Sequence, residues 1–202
     1  MGIAERNLEA LKARRPELVG NVKCGAPTGW RAQPAADGRM TAVYEGAAGD
    51  RYIHSRIDPG ADAAEWARDI PGTSGSMIVL GFGLGYHVIE LMRDARFAPV
   101  MVIESSPSLF GLALNHIDLE KILLHPDLLL VIGEDGAAVR EHLYPLRAQP
   151  FAFRPYHPVT CLNPSYYDPI RDFLENSLRR LRSRTDPALS AGVRTLMEAL
   201  AE

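Results

Sequence analysis

Met77-Ile-Val-Leu80 runs straight into Gly81-Phe-Gly83-Leu-Gly85-Tyr-His87, four apolar residues followed by three alternating glycines. The apolar run has no polar alternation, the pattern of a strand buried on both faces, as in a parallel sheet. The glycines then read as a strand-to-helix turn. Two more runs of the same kind follow, Val100-Met-Val-Ile103 and Leu128-Leu-Leu-Val-Ile132. Helical patterns separate them, over about 85 to 95 and about 107 to 115, and a third spans 136 to 146. A β-α-β-α-β-α order joined by right-handed crossovers gives an α/β fold, a Rossmann-like doubly wound and mostly parallel sheet.

Outside this core the signals are shorter. Residues 3 to 14 read as a helix with Ala4, Leu8 and Leu11 on one stripe, stopped by Pro16. Residues 20 to 38 are rich in Gly and Pro and read mostly as loop and turn. Met40–Tyr44 and Arg51–His54 form a hairpin signal around Gly46 and Gly49. Asp58-Pro59 opens a helix to about Asp69, closed by Pro71-Gly72. Phe151–Phe153 and Val159–Leu162 read as further strand. A last helix spans Tyr166 to Ser183, with Ile170, Phe173, Leu174, Leu178 and Leu181 on its apolar face and Ser165 as N-cap. The expected division is a helix-and-hairpin cap over 1–70, the α/β core over 71–165, and C-terminal helices over 166–202. The weakly patterned stretch from 185 carries one more short helix and leads toward a further domain.

Composition narrows the function classes. The 202 residues are 47% hydrophobic and 23% charged, ordinary for a globular protein. Net charge is -3, which argues against a general electrostatic binder of nucleic acid. No segment reaches the ~18 apolar residues of a membrane span. The Met-Gly-Ile-Ala-Glu-Arg start lacks the apolar core of a signal peptide, so a cytoplasmic setting is expected. Two cysteines, Cys24 and Cys161, make neither a disulfide framework nor a zinc site.

The candidate binding residues are Gly81, Gly83, Gly85, Glu104 and Asp135. A strand-to-helix turn gathers backbone N–H groups and the positive helix end, and glycine permits close approach of a ligand. Glu104 ends the second strand, where an acid can accept ribose hydroxyls, and Glu134-Asp135 ends the third. The same glycines would equally serve a tight turn packing helix on sheet, and Glu104 could instead stabilise the start of the next helix beside Ser105 and Ser106. Tyr86 stands where the dinucleotide pattern GxGxxG has its last glycine. The GxGxG spacing resembles the first motif of AdoMet-dependent methyltransferases, but Val79 replaces the acid those enzymes carry before the first glycine. Asn163-Pro-Ser-Tyr166 is similar to the Asn-Pro-Pro-Tyr of amino-group methyltransferases, with Ser165 breaking the match.

The six histidines show no metal spacing on one element, and no Ser/His/Asp arrangement follows from spacing. His87 reads as a histidine packed at a helix start or as a ligand contact. His54-Ser55-Arg56 reads as a polar strand end or as a hydroxyl and cation near the sheet edge. Arg179, Arg180, Arg182 and Arg184 read as a solvated helix end or as a contact to an anionic partner. No residue is assigned a catalytic or metal-binding role.

Several segments together resemble one family. Asn7-Leu-Glu-Ala-Leu-Lys12 with Pro16-Glu-Leu18, and Tyr52-Ile-His-Ser-Arg56 with Asp58-Pro59, look like two blocks of the motility accessory factor (Maf) proteins. The glycine block, Val102-Ile-Glu104, Ile132-Gly-Glu-Asp135, His157-Pro158 and Asn163–Tyr167 resemble the Rossmann-like part of their N-terminal region. Maf proteins are flagellin glycosyltransferases that attach nonulosonic acids, with transfer assigned to a separate central domain. The resemblance implies an accessory, nucleotide-binding-type domain that works with a C-terminal catalytic domain and with flagellin. The cofactor stays open between a nucleotide, a nucleotide-sugar and AdoMet. The other readings are an AdoMet-dependent methyltransferase and a noncatalytic protein-interaction domain.

Overall fold

The computed structural model describes residues 1–20, 22, 29–47, 49–70, 75–145 and 150–185, the last four of these as backbone only. Helices α1 (Ile3–Arg14) and α2 (Pro16–Val19) come first. An antiparallel sheet follows, β1 (Trp30–Pro34), β2 (Met40–Gly46) and β3 (Gly49–Tyr52), in the order β1-β2-β3. Helix α3 (Pro59–Arg68) leads to β4 (Gly75–Leu80), α4 (Tyr86–Leu91), β5 (Phe97–Glu104), α5 (Pro107–His116), α6 (Glu120–Leu123), β6 (Leu128–Ile132), α7 (Gly136–Leu143) and β7 (Phe151–Pro155). A short α8 (His157–Thr160) and a long α9 (Pro164–Thr185) complete the order.

Strands β4 to β7 form one all-parallel sheet in the order β6-β5-β4-β7. The chain steps outward from β4 to β6 and then returns past β4 to β7. Right-handed crossovers place α4 and α5 on one face and α7 on the other. The reversal beside β4 is the topological switch point of a doubly wound fold. The buried-strand reading holds: Met77, Ile78, Val79 and Leu80 are all fully buried, as are Val102 and Ile103. Each such side chain contributes about 1.5–3 kcal/mol through burial.

The small sheet lies against α5 through β1 and β2, and α1 lies against α5 and α6. Asn7 fixes α1 there. It is fully buried, donates from Nδ2 to the carbonyls of Leu114 and Ile117, and accepts from the Leu119 N–H at 2.9 Å. The two carbonyls stand at the end of α5, where the last C=O groups lack helical partners, and the Leu119 N–H stands at the start of α6. Helix α3 starts on Asp58, whose carboxylate accepts from the Ala61 N–H, with Pro59 at its first position.

Several boundaries differ from the expectations. Trp30–Pro34, inside the stretch read as loop and turn, is β1, held by direct pairing with Met40–Tyr44. Val159–Leu162 is not strand. Pro158 lacks the N–H a ladder needs and sits in the first turn of α8, whose last residue is Thr160. Helix α9 begins at Pro164, so Ser165 lies inside its first turn and is not the N-cap. The Asn163 carbonyl accepts the N–H groups of Tyr166 and Tyr167 instead. Cys24, Pro71-Gly72, the short helix expected after 185 and the side chains of Arg182 and Arg184 lie outside the described residues.

Candidate functional site

The glycine loop stands at the carboxyl end of β4, beside the switch point. Its backbone N–H groups are taken one after another by the protein itself. Gly81 N–H donates to the Ile103 carbonyl at 2.8 Å. Phe82 and Gly83 donate to one carboxylate oxygen of Glu104, at 2.8 and 3.3 Å. Leu84 donates to Nε2 of His54 at 2.8 Å, and Gly85 to the Phe82 carbonyl at 2.9 Å. A phosphate or carboxylate bound by such a loop needs those donors free. Here none of the five N–H groups from Gly81 to Gly85 is free.

The space over the glycines is also filled. A Cβ on Gly83, where φ is +55°, would lie 2.8 Å from His54 Nε2. A Cβ on Gly81, where φ is +95°, would lie 2.9 Å from the Cβ of Val159. At Gly85 the neighbour is the ring of Phe82, which is fully buried and meets Phe110 edge-on. The left-handed backbone suits glycine in any case, and the close approach the glycines permit is that of the protein's own side chains.

His54 is the residue that closes the loop. It is buried just beyond β3, and Thr41 Oγ1 both donates to its carbonyl and accepts its N–H. An N–H donated by Leu84 requires a lone pair on Nε2, so the proton sits on Nδ1. Nδ1 lies 2.8 Å from the Tyr156 hydroxyl, which passes its own proton to the Ile53 carbonyl at 2.8 Å. Burial, with the adjacent His87, holds the His54 pKa well below the usual histidine range. Next to it, His87 is fully buried and lies 3.0 Å from the Gly81 carbonyl through Nε2, while Nδ1 has no hydrogen-bond partner among the described residues. Its ring stacks on Tyr156 at 4.0 Å and meets Trp66 edge-on. Burial lowers its pKa to about 4. His54, His87, Tyr156 and Trp66 thus form one neutral aromatic cluster joining the N-terminal segments to the core.

Glu104 is fully buried at the end of β5 and turned inward. Besides the loop amides it accepts the Ser106 N–H at 2.8 Å and the Tyr167 hydroxyl at 3.3 Å. Burial raises its pKa, opposed by the three backbone donors and Tyr167. Tyr167, itself buried, also accepts the Ser105 N–H at 2.9 Å. Both carboxylate oxygens are therefore engaged in holding the β4–α4 loop, the β5–α5 turn and α9 together.

Asp135 stands apart from this group. It is the N-cap of α7, accepting the N–H groups of Ala137 and Ala138, and those bonds lower its pKa. The adjacent Glu134 pairs with His142 at 2.9 Å, and its carbonyl accepts the Tyr166 hydroxyl. The structure thus brings Gly81, Gly83, Gly85 and Glu104 into one bonded unit and leaves Asp135 on a separate helix start.

An open crevice of about 300 Å³ lies beside the sealed loop at the same sheet edge. Trp30 and Tyr44 line it from the small sheet, Ser105 and Ser106 from the β5–α5 turn, and Leu162 and Asn163 from the segment before α9. Trp30 and Tyr44 are direct cross-strand partners, their ring centroids 5.0 Å apart and their planes 55° apart. Trp30, Tyr44 and Tyr156 were not readable as part of a site, because they join segments that no short spacing relates, whereas Glu104 and Asn163, which also line the crevice, were singled out by the sequence. Among the described residues there is no His/Cys/Asp/Glu group able to hold a metal, and no helix is long and apolar enough to cross a membrane.

A four-stranded parallel sheet with helices on both faces and a glycine loop at the switch point defines a Rossmann-like α/β domain. Residues 50–154, just over half of the chain, match the family model of the glycosyltransferase Maf N-terminal domain. The chain belongs to that family. The Maf glycosyltransferase from Magnetospirillum magneticum AMB-1 has the same fold, with a TM-score of 0.56 and 16% identity over 75% of this chain and 32% of that one. The chain therefore spans about a third of that protein's length. Spermidine synthase from Thermotoga maritima superposes with a TM-score of 0.38 and 13% identity over 55% of this chain and 43% of its own, too slight a likeness to support a reading. No curated protein matches the chain.

Proposed function

We propose that this chain is a noncatalytic accessory domain of a Maf-type flagellin glycosyltransferase, holding the acceptor protein and the catalytic domain in place. One observation carries this reading: each N–H from Gly81 to Gly85 is bonded within the protein. A loop so occupied supports a scaffolding role for the Rossmann-like core over a cofactor-binding one. An AdoMet-dependent methyltransferase would need the loop open and Glu104 turned to a ribose. Here Val159 and His54 stand over Gly81 and Gly83, and Glu104 is spent on backbone amides.

Calorimetric titration of S-adenosylhomocysteine and of CMP into the protein tests the reading. The expected result is no heat of binding at millimolar ligand. Micromolar binding of either ligand, lost in Glu104→Ala, would overturn it and return the chain to the cofactor-binding class.

A further inference from the structure

The crevice beside the sealed loop has a lining that selects one kind of ligand. Among the described residues no Arg, Lys or His lines it, and its one carboxylate is the buried Glu104. A phosphate, a nucleoside diphosphate or a sugar acid would enter without a counter-charge and against that carboxylate, at a cost that rises as water is excluded. The polar groups that remain are neutral. The Ser105 hydroxyl and the Asn163 amide donors make no hydrogen bond to described residues, and Ser106 Oγ accepts only the Leu109 N–H, leaving its proton to donate.

Ring geometry narrows the choice further. Trp30 and Tyr44 meet at 55° and form a corner, so they cannot clasp a planar base between two parallel faces. A puckered ring whose C–H bonds project from one face and whose hydroxyls project from its rim fits a corner of that shape. The size agrees, since about 300 Å³ is at the small end of ligand pockets and suits one ring, not a dinucleotide.

We infer that this crevice binds a single uncharged sugar ring, stacked on Trp30 and Tyr44 with its hydroxyls on Ser105, Ser106 and Asn163. The site adjoins the sealed glycine loop, with Glu104 and Val159 between them, and the inference does not depend on the accessory role proposed above.

The test is a titration followed by NMR on the indole N–H signals of Trp30 and Trp66, with glucose, N-acetylglucosamine, N-acetylneuraminate and adenosine as probes. A neutral sugar should shift the Trp30 signal with saturation in the millimolar range and leave Trp66, which faces His87, unmoved. Ser105→Ala removes no hydrogen bond made with described residues and Asn163→Ala only the exposed one from the Ser165 hydroxyl, and each should weaken that binding about 5-fold. Trp30→Ala should abolish it, with the melting temperature checked beside it. The inference is overturned if neither neutral sugar moves Trp30, if N-acetylneuraminate binds as tightly, or if adenosine binds more tightly than both sugars. It also fails if binding survives both the Asn163 and Ser105 substitutions unchanged.

Discussion

Nε2 of His54 accepts the N–H of Leu84 at 2.8 Å, across 30 residues of sequence. This bond makes a histidine from the N-terminal segments part of the glycine loop. Because it requires a lone pair on Nε2, it exists only while His54 is neutral. Protonation would place two donors face to face in a buried site, beside a second buried histidine.

Stability should therefore fall in mild acid. For His87 the folded pKa is about 4 and the unfolded value is 6.5. Between these values the unfolded chain binds a proton that the folded protein refuses, so stability is intact above about pH 6.5 and declines as pH drops to about 4. His87 alone accounts for a loss on the order of 3 kcal/mol across that window, and His54 adds to it in the same direction. Urea denaturation from pH 7 to pH 4 should show a slope exceeding one proton. His87→Phe should flatten it by about one proton.

Glu104→Gln should destabilise the fold without any ligand present. Each oxygen of Glu104 faces two donors, so whichever position the amide nitrogen takes, it meets N–H or O–H groups it cannot accept. Leaving two buried donors unpaired costs about 2–4 kcal/mol. The expected result is a lower urea midpoint with an unchanged m-value. A wild-type midpoint would show that Glu104 does not hold the loop.

Gly83→Ala probes the closure from the opposite side. The new Cβ would stand 2.8 Å from His54 Nε2 and 3.2 Å from Ile53 Cγ2, on a backbone with φ +55°. The conformation alone costs about 1–2 kcal/mol, and displacement of His54 adds the lost Leu84 bond. The substitution should lower the melting temperature and raise the His54 pKa, read from its imidazole signals in a pH titration. An unperturbed His54 would place the ring elsewhere.

The parallel core was legible because burial on both faces leaves an unbroken apolar signature at Met77–Leu80 and Val100–Ile103, and the edge strand Leu128–Ile132 keeps it although Leu129 and Leu130 are half-buried. β1 was not, since a five-residue strand ending in Pro34 carries little pattern of its own and is held by β2. Val159–Leu162 looked like strand because Val, Thr and Leu suit one, but the N–H missing at Pro158 decided for helix. At the site, sequence placed Glu104 at the end of its strand and the glycines at the end of theirs. The direction in which Glu104 turns was set by Tyr167, 63 residues away, and the occupant of the loop by His54 and Tyr156, which are 102 residues apart. Contacts of that range leave no local spacing to read.

Amide hydrogen exchange at Phe82, Gly83 and Leu84, followed by NMR with and without S-adenosylhomocysteine, tests the closed loop most directly. Bonds to buried acceptors should hold these amides against exchange nearly as strongly as the β4 and β5 amides, with no change on adding the compound. Exchange at the rate of an open loop, slowing when the compound is added, would contradict the account, because those donors would then be free to receive a ligand.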